Sequence, residues 1–292
     1  MDQRSNTYYE SERARRTGAH SSAKKVKRRR IRAAIRVGLC VCAVVFVAGG
    51  VIAGKAWFED SRADKAYDTL RIRLQENAYN DSISVKALSV PVETPIPKEG
   101  ELAVRTSAMD LAPLKEINSE IVAWLACEGT AIDYPILQGE DNDYYLNHLY
   151  TKESNRMGSL FMDYRNAGLF TDRNMVVYGH NMKSGAMFNA LSEYKAQDYY
   201  DAFPTMKLYT PDGDYTIELF AGTVEDGNYE FVQFAFNDDK AFMAYVDAFR
   251  ARSTFQSDVV VAPTDQIVTL CTCSYERNNA RYIVMGRLVS EV

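Results

Sequence analysis

Residues 37–54 read VGLCVCAVVFVAGGVIAG, eighteen consecutive positions without a charge. As a helix rising about 1.5 Å per residue, this run nearly crosses a hydrocarbon core of roughly 30 Å. It therefore divides the chain into two parts that meet different surroundings. Trp57 and Phe58 follow it, where interfacial aromatics sit. The stretch KKVKRRRIRAAIR precedes it, and a basic flank of this kind predicts that the N-terminus stays in the cytoplasm. A cleaved signal peptide has the same order of regions, but the apolar run is long for one and its small-residue sites fit a cleavage signal poorly. The reading adopted is an uncleaved anchor over 37–58, with everything after it outside.

Charge supports the same division. Residues 1–36 hold twelve Lys/Arg against three Asp/Glu, a balance of +9, so with a net −5 for the whole chain the remainder carries −14. The tail is polar, without hydrophobic periodicity, and reads as a cytoplasmic segment. Its position beside the apolar run argues against nucleic acid as its partner. After the anchor, Ala66, Leu70, Leu74 and Ala78 recur four apart and predict a short amphipathic helix. Pro91, Pro95 and Pro97 then make an extended spacer, so 59–104 reads as a stalk and linker.

From about residue 105 the pattern changes to short β-rich runs. Strands are expected at 120–127, 131–137, 158–162, 175–178, 206–210 and 215–225, with the last two joined by a Pro-Asp-Gly-Asp turn. Residues 110–118 read as a short helix near Pro113, with Asp110 at its start, and 141–149 as a short helix or turn. Residues 238–252 interrupt the β pattern: Phe242, Tyr245, Val246 and Phe249 form an apolar stripe at helical spacing, capped by Asp238 or Asn237. The expected place for that helix is over a sheet edge. Many short strands with one inserted helix predict a mainly β domain, a barrel of about eight strands decorated by helices, over 105–292.

The chain ends in QIVTLCTCSYERNNARYIVMGRLV, two apolar runs at 267–270 and 282–288 around a turn containing Asn278 and Asn279. This predicts a hairpin with Cys273 at the end of its first strand and Arg281 at the start of its second. Of the five cysteines, Cys40 and Cys42 lie in the anchor, leaving Cys127, Cys271 and Cys273 outside it. Cys271 and Cys273 are two apart on a strand, hence on one face and poorly placed to bridge each other. Without a disulfide framework, an external thiol has either another function or none. Metal is a poor fit, since CxC beside two external histidines is a thin ligand set, and no cofactor is called for.

Those histidines are His148, in the tyrosine-rich YYLNHLY, and His180, which ends NMVVYGH beside Gly179. The first reads as packed or exposed; the second can present its imidazole to a cleft. Each of Cys273, His180 and Arg281 has an innocent reading taken singly. Together they supply a thiolate with a lowered pKa, a proton carrier, and a cation for an oxyanion.

The residues resemble a known family at this point. TLCTC at 269–273 matches the sortase TLxTC signature, His180 in VVYGHN matches the catalytic histidine, and Arg281 in ARYIV matches the catalytic arginine. AIDYPILQGEDNDYYLNH and the inserted helix resemble class B in particular. Cys271 departs from the pattern, since many relatives carry serine there. The resemblance implies a sortase-type closed β-barrel and a cysteine transpeptidase of a Gram-positive cell surface. It implies that Cys273 attacks the threonyl carbonyl of a sorting motif in a secreted protein, of the Asn-Pro type that class B favours. An amine of the peptidoglycan cross-bridge then releases the acyl group. It also implies a peptide groove that uses Asn142 and Leu146 and is bordered by Thr272. Three rivals remain: a pilus-polymerising sortase with a pilin lysine as acceptor, a membrane-tethered cysteine hydrolase, and a non-catalytic surface module.

Overall fold

The computed structural model describes residues 36, 38–74, 107, 109–169, 171–228, 231–274 and 279–291, with the backbone alone at 273 and 274. Nearly all of the basic tail, the spacer with its three prolines and Asn278 of the expected turn lie outside the described residues. The chain divides into two compact units, Met1–Phe58 and Glu59–Val292.

The first described element is a helix, α1 (Gly38–Leu74), long and apolar enough to cross a membrane. In the first unit its large apolar side chains point outward, Phe46 being 83 % and Trp57 71 % exposed. Such an apolar outer surface suits a lipid environment. In the second unit the helix becomes one-sided. Ala63, Tyr67, Leu70 and Leu74 are buried, and Ala66 is partly so. The expected stripe is present at 66, 70 and 74, begins earlier and runs through Tyr67, while Ala78 lies outside the described residues. The Tyr67 hydroxyl donates to the Gly158 carbonyl at 2.8 Å and lies 3.0 Å from Ser159 Oγ. Residues 59–74, read as the start of a linker, thus pack within the second unit.

Eight strands close a mixed barrel: β1 (Ile121–Ala126), β2 (Asp133–Leu137), β3 (Leu160–Met162), β4 (Asn174–Tyr178), β5 (Thr205–Thr210), β6 (Gly213–Asp226), β7 (Ile267–Ser274) and β8 (Ala280–Ser290). Their order around the barrel is β1-β2-β3-β4-β7-β8-β6-β5, with β5 pairing back to β1. The pairs β2–β3 and β4–β7 are parallel and the others antiparallel. All five residues of β4 are buried, as expected of a strand covered on both faces. The barrel interior is closed by Leu125, Ile136, Met162, Val177, Leu208 and Leu270, all at most 2 % exposed.

The helices lie outside the barrel. At α2 (Ala112–Ile117) the N-cap position is Leu111, which makes no side-chain cap; Asp110 contributes by accepting the Ala112 N–H at 2.9 Å. A 3-10 helix, Phe188–Lys195, and α3 (Gln197–Ala202) follow β4. Helix α4 (Asp239–Arg250) is capped by Asp238, whose carboxylate accepts the Ala241 N–H at 2.7 Å. It buries Phe242, Val246 and Phe249. A closed barrel has no edge, so α4 packs on the flank of β6 instead of covering a rim. Asp238→Ala is expected to cost about 1 kcal/mol in urea unfolding of the full chain followed by tryptophan fluorescence.

Candidate active site

The parallel pairing of β4 and β7 places two loop-bearing strand ends at one mouth of the barrel. Tyr178 stands opposite Cys271 in the ladder, and the Gly179 N–H donates to the Cys271 carbonyl at 3.1 Å. His180 therefore leaves β4 at the level where β7 reaches Cys273. Antiparallel pairing of β7 with β8 puts Arg281 directly opposite Cys273. The three expected residues come from separate strand ends that the barrel brings to one place.

Here the surface opens into a cavity of about 400 Å³, lined among others by Asn142, Leu146, Tyr178, His180, Thr272 and Arg281. Five of the six residues singled out from sequence line it, and the sixth, Cys273, adjoins Thr272 along β7. Cys271 is also in the wall and is buried. Thr272 is 1 % exposed, and its hydroxyl has no hydrogen-bond partner among the described residues. His148 stays outside: its ring stacks on Tyr144 with centroids 4.0 Å apart, and Nδ1 lies 2.8 Å from the Tyr144 carbonyl.

The histidine is held at two points. Its carbonyl accepts the Phe188 N–H at 2.9 Å, closing the loop that follows. Its Nε2 lies 2.7 Å from the Leu146 carbonyl. A carbonyl only accepts, so Nε2 carries the hydrogen and Nδ1 is the nitrogen left for proton transfer. Leu146 comes from the short helical turn Tyr144–Leu146, and Gly158 backs it. Gly158 has φ +61°, and a Cβ there would lie 2.5 Å from the Tyr145 carbonyl oxygen and 2.7 Å from that of Leu146. Only a residue without a side chain lets the two backbones approach so closely.

Sequence reasoning missed the polar wall of the cavity. Arg165, Tyr178 and Asp143 line it, and behind them Asp163 is fully buried. Burial pushes the Asp163 carboxyl up, but hydrogen bonds from Arg165, Tyr178 and Asn142 outweigh it and hold the group below the usual carboxylate range. Burial and the Asp163 charge raise the Tyr178 phenol. FMDYRN carries no motif that flags these residues; the signal is a carboxylate in the continuation of a wholly apolar strand.

A closed mixed barrel that brings a cysteine, a histidine and an arginine to three converging strand ends is an arrangement suited to a cysteine enzyme. Comparison with known proteins then gives the family. Residues 125–289 match the sortase domain. Sortase B of Listeria monocytogenes is 36 % identical over 222 residues, covering 75 % of this chain and 89 % of the relative. The structure of the Staphylococcus aureus sortase B–substrate complex matches with a TM-score of 0.59 and 31 % identity, over 62 % of this chain and 84 % of that one. Clostridium perfringens sortase B matches with a TM-score of 0.59 and 34 % identity, over 62 % of this chain and all of that one. The chain belongs to the sortase family, is most like class B, and is a cysteine transpeptidase.

Gly158→Ala forces a Cβ into the carbonyls of Tyr145 and Leu146, and is expected to cost about 1–3 kcal/mol in urea unfolding. It should also lower the turnover number at least tenfold in a peptide-cleavage assay, because the Leu146 carbonyl no longer fixes the imidazole.

Proposed function

We propose that Cys273 is the nucleophile, His180 the proton carrier and Arg281 the oxyanion partner of a membrane-anchored transpeptidase. Its donor is a sorting motif of a secreted protein and its acceptor an amine of the peptidoglycan cross-bridge. The thiolate attacks the threonyl carbonyl carbon, and the guanidinium of Arg281 stabilises the charge that develops on the oxygen. As the C–N bond breaks, His180 gives its proton to the departing amine and a thioester remains. The acceptor amine attacks the thioester and passes a proton to His180. The thiolate leaves, and a new amide joins the protein to the wall.

The observation that carries this reading is the meeting of His180, Arg281 and the Cys273 end of β7 at one cavity. Asn142, Leu146 and Thr272 in its wall are the proposed peptide contacts. The S. aureus relative is known as a substrate complex, which favours a peptide groove in the matching region. In the cell, residues 1–36 form the cytoplasmic tail and 37–58 the anchor. Residues 59–104 are the extracellular connection, whose first part, 59–74, packs within the second unit, and 105–292 carry the catalytic barrel. An enzyme tethered outside the membrane meets both substrates where they emerge.

The test uses the full-length chain in detergent with quenched fluorogenic peptides carrying Asn-Pro-type motifs, with and without a glycine-peptide amine. Cleavage after threonine, diverted to an amide by the amine, is expected. Cys273→Ala should lose at least about 10³-fold in rate, and Arg281→Ala about 10²–10³-fold. Cleavage that ignores every amine would assign a hydrolase instead. Full activity in Cys273→Ala would end the proposal.

A further inference from the structure

The wall of the cavity hangs on one carboxylate. Asp163 follows β3 and is 0 % exposed. Its Oδ1 accepts from the Arg165 backbone N–H at 3.0 Å and from Arg165 Nε at 2.9 Å. Its Oδ2 accepts from Arg165 Nη2 at 2.8 Å, the Tyr178 hydroxyl at 2.8 Å and Asn142 Nδ2 at 3.1 Å. The three side chains come from three segments: the turn after β2, the loop after β3, and the end of β4. Each also lines the cavity.

We propose that Asp163 is the positioning residue of the substrate groove, fixing Asn142, Arg165 and Tyr178 so that their outward-facing atoms recognise the backbone of an extended peptide. The proposal rests on the transpeptidase reading of this cavity. Burying a carboxylate is costly, and an apolar side chain of similar size serves simple packing at least as well. The bonds to Asp163 fix the polarity of what faces outward. Asn142 spends one amide hydrogen on Asp163, and its Oδ1 accepts the Tyr164 N–H at 3.1 Å. The amide cannot flip, and what it can offer a peptide is its second N–H. Arg165 commits Nε and Nη2 inward, so Nη1 is the nitrogen that Asp163 does not engage. Tyr178 donates its proton to Asp163, so toward the cavity its oxygen acts only as an acceptor. Two donors and one acceptor suit a strand-like peptide, whose carbonyls and N–H groups alternate. Arg165 also stacks its guanidinium against Phe234, 5.2 Å from the ring centroid. The same brace thus reaches the connection between β6 and β7.

All five bonds require the ionised carboxylate, and the group stays ionised through neutral and mildly acid pH because its folded pKa is depressed. Asp163→Asn removes the charge and turns one acceptor into a donor at nearly constant volume. Asp163 acts through other residues, so the decisive readout is the division between binding and chemistry. With the full-length chain in detergent and an Asn-Pro-type fluorogenic peptide, Asp163→Asn is expected to raise KM by roughly fivefold or more. The turnover number should stay within about threefold, and the rate of Cys273 alkylation by iodoacetamide within about twofold. Tyr178→Phe and Arg165→Met, each removing part of the same brace, should each raise KM by roughly threefold or more, and less than additively with Asp163→Asn. If Asp163→Asn does not fold, those two variants decide alone.

A KM rise below these thresholds, or a fall in turnover with KM unchanged, overturns the inference while the active wild type keeps the transpeptidase reading. A wild-type chain that cleaves no peptide, although Cys273 alkylates, ends both.

Discussion

The site depends on the parallel pairing of β4 with β7. Parallel strands run to the same end of a sheet, so a residue just past one strand stands beside a residue just past the other. The register that sets Tyr178 opposite Cys271 decides that His180 and the Cys273 end of β7 share a mouth. A shift of one residue would turn each inward-facing side chain of β7 outward. What resists that shift is the apolar content of both strands: Val176, Val177, Val268 and Leu270 are all buried. Here the core stabilises the fold and sets the geometry of the cavity mouth through the same contacts.

The price of parallel pairing is a long crossover, because the chain must return to the starting end before β7 begins. Between β4 and β7 the chain builds α3, β5, β6 and α4. This excursion closes the barrel through β5 and β1, and it is held to the earlier strands at its far side. Arg173 sits with its guanidinium 4.0 Å from the Phe242 ring centroid and pairs with Asp239 at 3.0 Å. Asn174 donates to the Gln233 carbonyl at 3.0 Å and accepts from the Thr269 hydroxyl at 2.9 Å. That fully buried asparagine ties β4, β7 and the intervening connection together where β4 starts, at the end opposite the cavity.

The barrel, its strands and its principal polar residues were legible because they depend on local pattern. Alternation marks the strands, α4 shows its stripe and its Asp238 cap, and TLCTC, YGHN and ARYIV are contiguous. The rest depends on contacts distant in sequence. The 3-10 helix Phe188–Lys195 has no 3.6-residue period to display, and no element was expected there. Strand β7 runs to Ser274, one residue past the expected end at Cys273, and pairing with β8 holds its polar end in the ladder. Asp163, the organiser of the wall, could not be read at all. Its partners lie 2, 15 and 21 positions away, and only the folded barrel makes them neighbours.

At the start of the second unit the helical spacing was legible, but the role of the helix was not. A linker predicted from composition should carry little buried surface, yet Tyr67 is 1 % exposed and meets Tyr134 and Tyr150 ring to ring at 5.1 and 5.4 Å. Its hydroxyl bonds Gly158 and Ser159, and the Ser159 N–H bonds the Tyr145 carbonyl at 3.0 Å. Tyr145 and Leu146 belong to one turn, and the Leu146 carbonyl holds His180. Residues 59–74 are therefore a support of the active site, joined to the imidazole through two loops. A chain beginning at residue 105 would leave the rings of Tyr134 and Tyr150 uncovered and the Gly158 carbonyl without its donor. The boundary of the working domain is set by these contacts, and composition does not record them.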